Sequence, residues 1–91
     1  MKQIATSLLS DIESLNRWKI IDNFIEKEFL FDDFQSAIDF IVKVAKQGEI
    51  VNHHPEIVNS YNKVVLRLTT HDVGGLSQLD VQLARLIDAL D

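Results

Sequence analysis

Two hydrophobic rhythms alternate along the chain. Ile4, Leu8, Ile12 and Leu15 recur at the three- and four-residue intervals of one helical face and predict a first amphipathic helix over residues 4–15. Asn16-Arg17 breaks that pattern. Trp18-Lys19-Ile20-Ile21 and the aromatic, branched run from Phe24 to Phe31 read as two strands. Between them Asp22-Asn23 can turn the chain, because both side chains bond nearby backbone groups. Asp32 or Asp33 can cap the next element, a helix whose apolar face is marked by Phe34, Ala37, Ile38, Ile41 and Ala45 and which is expected to end near Gly48. Residues 49–55 then read as a loop, with His54 extended because it precedes Pro55. A third strand is expected over Ile57 to Tyr61 and a tight turn at Asn62-Lys63. In a fourth strand Val64, Leu66 and Leu68 alternate with Val65, Arg67 and Thr69. After a loop at residues 71–75, Ser77 and Asp80 form a capping-box pattern. It opens a third helix with Leu79, Leu83, Leu86, Ile87 and Leu90 on one face.

The order α-β-β-α-β-β-α predicts an α+β fold: a four-stranded antiparallel sheet made of two hairpins, with three α-helices packed on one face to bury their stripes. The other sheet face stays open for a ligand. A chain of 91 residues without repeats or linkers is one domain, 1–91. A domain this small buries a modest share of its surface, so association with a second copy is a natural remedy.

Composition narrows the function. A net charge of −5 argues against direct nucleic-acid binding, which needs a basic stripe. No apolar run reaches membrane-spanning length, and Met1-Lys2-Gln3-Ile4 does not open a signal peptide. With no cysteine, disulfides and thiolate metal sites are unavailable, and a cytoplasmic setting is the simplest expectation.

The distinctive feature is the placement of the chain's three histidines, all in expected loops. His53 and His54 precede the third strand and His71 follows the fourth. If those strands form a hairpin, the three rings lie at one end of it. Imidazole titrates near neutral pH, so such a group can divide acid and base roles. Adjacent side chains in an extended segment point to opposite sides, which gives His53 and His54 different tasks. A metal site is less favoured, since neighbouring histidines are awkward joint ligands and zinc-type helix spacing is missing. Asp80 serves equally as a helix cap, and Glu49 as a solvated residue or a histidine partner. Trp18 and Tyr61 read as packing residues, and Phe29, Phe31, Phe34 and Phe40 as core and element junctions.

The segment Glu49-Ile50-Val51-Asn52-His53-His54-Pro55-Glu56, then Tyr61-Asn62-Lys63-Val64, Thr70-His71 and Gly75-Leu76-Ser77 to Asp80, resembles the signature of pterin-4a-carbinolamine dehydratases. The similarity runs from about Trp18 to the C-terminus. Ile57-Val58 departs from it by replacing a bulkier aromatic pair. The resemblance implies a lyase that removes water from 4a-hydroxytetrahydrobiopterin to give quinonoid dihydropterin, in tetrahydrobiopterin recycling, with no cofactor and no metal. It implies His54 and His71 as the principal proton-transfer groups and His53 as an assisting acid or pterin anchor. Glu49, Pro55, Thr70 and Asp80 would support the site or contact substrate. It also implies a homodimer or homotetramer. The alternatives are a non-catalytic dimerisation or transcriptional-cofactor module, as animal relatives provide, and a pterin-binding protein of another pathway. Retention of all three histidines favours the enzyme.

Overall fold

The computed structural model describes residues 5–90. Its elements follow the order α1 (Thr6–Glu13), β1 (Lys19–Ile21), β2 (Phe24–Leu30), α2 (Phe34–Val51), β3 (Glu56–Ser60), β4 (Lys63–Leu68) and α3 (Gln78–Asp88), with a short 3-10 turn at His71–Val73. Ile4, expected to start the first helix, lies outside the described residues.

The strands form one antiparallel sheet in the order β1-β2-β4-β3. Two hairpins thus lie side by side, with β2 and β4 paired at the centre. Side chains alternate across the strands. Ile25, Phe29, Val64, Leu66 and Leu68 face the helices and are buried against Ile12, Ala37, Phe40, Val44, Val81, Leu83, Ala84 and Ile87. The expected α+β architecture, with all helices on one sheet face, is the observed one. No described helix is long and apolar enough to cross a membrane.

Aromatic rings join the layers. Phe40 of α2 lies 4.8 Å from Phe29 and 4.9 Å from Phe31, and Trp18 meets Phe29 edge-on at 6.2 Å. Lys27, on the inner face of β2, is buried because its Nζ donates to Asp88 Oδ1 at 2.8 Å. The Trp18 indole donates to the same carboxylate at 3.0 Å. One acid at the end of α3 thereby satisfies two donors that would be costly to bury alone.

Several local readings need correction. The inward face of α2 is Ala37, Phe40, Val44 and Gly48, rotated from the expected stripe; Phe34 is 51% exposed and Ala45 faces solvent. The helix carries apolar residues around more than half its circumference, so periodicity alone does not choose the packed side. Second, Gly48 does not end α2. The helix runs to Val51 and closes with Asn52 at φ 53°, where the Asn52 and His53 N–H groups donate to the carbonyls of Glu49 and Gly48. This is a Schellman closure with asparagine in the left-handed position. Third, the β3–β4 turn is Tyr61-Asn62 rather than Asn62-Lys63, fixed by the Ser60–Lys63 pair and by Asn59 Nδ2 donating to the carbonyls of Tyr61 and Lys63. Tyr61 takes φ 52° and is 63% exposed, so it is not a packing residue.

Candidate active site

The site is assembled at the end of the sheet where β3 begins and β4 stops. Gly48 controls one side of it. A Cβ built there would stand 3.0 Å from the His53 carbonyl oxygen and 3.4 Å from Pro55 Cδ. The missing side chain lets the His53-His54-Pro55 segment return tightly over the last turn of α2. Pro55 thus packs on the helix end.

The two adjacent histidines part company there. His53 turns inward, with 12% of its side chain exposed, and its Nε2 meets Asp80 Oδ1 at 2.6 Å. Asp80 is fully buried. Its Oδ2 accepts from the Thr70 hydroxyl at 2.8 Å and from the Ser77 backbone N–H at 2.9 Å. Thr70 Oγ1 and Ser77 Oγ are themselves 2.7 Å apart. Asp80 is therefore both the capping-box residue of α3 and the partner of His53. A carboxylate only accepts, so this contact assigns the proton to Nε2 of His53 and turns Nδ1 away from Asp80.

His54 points outward. Its Nε2 donates to Glu49 Oε2 at 3.0 Å, across an exposed pair on the outer surface. Extension of α2 past Gly48 is what brings Glu49 within reach. His71 begins the 3-10 turn after β4, with Thr70 paired to Gly75 and Gly74 at φ 67° closing the loop.

His54 and His71 line a single cleft of about 100 Å³ together with Phe24, Glu56, Arg67 and Thr69. The cleft opens on the helix-free face of the sheet. The tertiary structure thus brings two of the three histidines to one hollow and sets His53 behind it, on Asp80. Thr70 lies under the cleft as an Asp80 partner, and Glu49 and Pro55 flank the histidine segment. Ile57 packs on the core and Val58 is exposed on the open face, so the pair that departs from the signature does not line the cleft. A wider depression of about 620 Å³ runs beside Arg17, Lys19, Glu28 and Leu30 and has no histidine in its wall. Among the described residues, no three histidine, aspartate or glutamate side chains gather as metal ligands.

Sequence reasoning missed Arg67, Phe24, Glu56 and Thr69 as cleft residues. Arg67 donates from Nε to Glu26 at 2.6 Å and from Nη1 to Glu56 at 3.0 Å. The bond to Glu26 raises its pKa further above an already high ordinary value, so it is a permanent cation. The alternation of β4 placed Arg67 on the open face, but only the strand register shows that Glu26 and Glu56 flank it.

The family described as pterin 4 alpha carbinolamine dehydratase matches residues 1–90. A protein of Sulfurisphaera tokodaii, provisionally named a pterin-4-alpha-carbinolamine dehydratase, is 46% identical over 80 residues, covering 88% of this chain and 86% of its own. One of Saccharolobus solfataricus, named in the same way, is 40% identical over 92 residues, covering 99% and 94%. A crystal structure described as a transcriptional coactivator/pterin dehydratase from Brucella melitensis superposes with a TM-score of 0.88 at 33% identity, covering 98% of each chain. A pterin dehydratase-like protein described as a RuBisCO assembly factor in the alpha-carboxysome shares the fold, with a TM-score of 0.66 at 23% identity over 81% of this chain and 86% of its own. Both the match to nearly the whole length and the identity to full-length relatives lead to one conclusion: this chain belongs to the pterin 4 alpha carbinolamine dehydratase family.

Proposed function

We propose that the protein is a hydro-lyase that dehydrates 4a-hydroxytetrahydrobiopterin to quinonoid dihydropterin by histidine acid–base catalysis. The observation that carries this reading is the shared cleft of His54 and His71.

The chemistry asks little of the protein. The substrate carries a hydroxyl on a ring carbon next to a ring N–H. A base takes the nitrogen-bound proton, the nitrogen lone pair forms a carbon–nitrogen double bond, and the carbon–oxygen bond breaks. An acid gives a proton to the departing oxygen, which leaves as water. One proton is taken and one is given, so the pair of imidazoles ends in exchanged protonation states and is reset through solvent. We assign these two roles to His54, braced by Glu49, and to His71, which share the cleft. His53, held by Asp80, braces the segment from behind. General acid–base catalysis of this kind supplies about 10²–10⁴-fold, a fitting demand for a labile adduct. We place this activity in the cytoplasm, in recycling of tetrahydrobiopterin, with the protein as a homodimer or homotetramer.

The test is a stopped assay of carbinolamine decay with wild type, His54→Ala and His71→Ala. Wild type accelerates decay, and each variant loses most of the acceleration, about 10²-fold or more, while keeping its circular dichroism spectrum. Equal rates in all three would refute the mechanism.

A further inference from the structure

We propose that Arg67 and Phe24 form the wall against which the pyrimidinone side of the pterin is held in the histidine cleft, with Arg67 donating to its acceptor edge. This rests on the dehydratase reading of the same cleft.

Arg67 has direct cross-strand neighbours on both sides: Glu26 on β2 and Glu56 on β3. Those two carboxylates hold Nε and Nη1, at 2.6 and 3.0 Å, and so fix the plane of the guanidinium. Nη2 makes no hydrogen bond among the described residues, and 36% of the side chain is exposed. A planar cation with fixed orientation and spare donors therefore borders the cleft. Its Cζ lies 5.8 Å from the centre of the Phe24 ring, so a flat cation and a flat ring are neighbours in one wall. Both belong to the lining that contains His54 and His71.

The carbinolamine is tetrahedral at its hydroxyl-bearing carbon, but the rest of its pyrimidinone ring is near planar and presents a carbonyl oxygen and an imine-type nitrogen as acceptors. Arginine satisfies such an edge with parallel N–H groups, whereas lysine offers a compact point charge. A purely structural role for Arg67, as the tie between Glu26 and Glu56, would be kept largely by lysine. A ligand-holding role would not. The contact exists equally in the bound substrate and during its dehydration, so its loss raises KM more than it lowers kcat.

The experiment measures three quantities for wild type, Arg67→Ala, Arg67→Lys, Phe24→Leu and His54→Ala. These are the affinity for 7,8-dihydrobiopterin by calorimetric titration, kcat and KM for dehydration, and the melting temperature. We expect Arg67→Ala and Arg67→Lys each to weaken binding and raise KM by about ten-fold or more, with kcat within about three-fold. Phe24→Leu weakens binding by a smaller factor. His54→Ala shows the opposite split, with kcat lost and binding kept. Wild-type affinity and KM in Arg67→Lys would overturn the proposal, as would a kcat loss at unchanged KM. If Arg67→Ala fails to fold, Arg67→Lys decides alone. Wild type that binds dihydrobiopterin without accelerating dehydration sinks the dehydratase reading, and the titrations still judge Arg67. Wild type that does not bind dihydrobiopterin overturns the proposal itself.

Discussion

At the scale of single residues, Asp80 has the most demands on it. It is buried, yet three donors converge on it: His53, the Thr70 hydroxyl and the Ser77 N–H. Each oxygen faces a donor, so an amide in its place must turn its NH₂ toward one of them. Asp80→Asn therefore either forces His53 into the other tautomer or leaves the Ser77 N–H facing a donor, since the Thr70 hydroxyl can accept from the amide and donate to Ser77 Oγ. We predict a stability loss of about 1–3 kcal/mol from the urea midpoint, and lower dehydration activity with the histidines all present. Unchanged stability would mean that the amide is accommodated without conflict.

At the scale of elements, the ends of α2 carry the argument. Its N-terminus is capped by Asp33, which accepts from the Ser36 N–H at 2.8 Å. That backbone bond holds the Asp33 carboxyl below its ordinary value of 3.8. A depressed folded pKa contributes stability above the unfolded value and loses it as pH falls through the folded one. Asp33→Ala should lower the melting temperature at neutral pH by a few degrees, and the gap to wild type should narrow as pH falls below 3.8. A gap that stays constant across the acid range would contradict the cap.

The other end of α2 is where structure and site meet. Gly48→Ala gains helix propensity of about 1 kcal/mol, but its Cβ presses on the His53 carbonyl at 3.0 Å. The two effects oppose, so stability should stay within about 1 kcal/mol of wild type. The displaced part is the histidine segment, so the dehydration rate should fall clearly. Calorimetry beside the rate assay checks this; wild-type activity in Gly48→Ala would show that the segment yields without consequence.

At the scale of the whole molecule, one sheet face is sealed by helices and the other carries the cleft. Charge on the open face is organised by the Glu26–Arg67–Glu56 row. Several large apolar side chains are left in solvent, including Phe34, Val42 and Ile50 along α2 and Leu30 and Val58 on the open sheet face. For so small a domain these are surfaces that a second copy could cover. We predict a solution mass at least twice 10.4 kDa by light scattering; a monomer mass would remove the expectation of self-association.

Hydrophobic periodicity, together with turn and cap residues, determined the order of elements and the single-sided packing, because each amphipathic stripe and each alternating strand has to bury one face. The paired histidines and the one after the fourth strand were legible because strand ends that meet in a hairpin bring their flanking loops together. Tertiary structure decided what spacing does not encode: the rotation of α2, its run past a buried glycine, and the inward turn of one histidine onto a helix cap. It also decided that Arg67 faces the cleft between two acids, since cross-strand neighbours are set by register, and register is a property of how separate segments align.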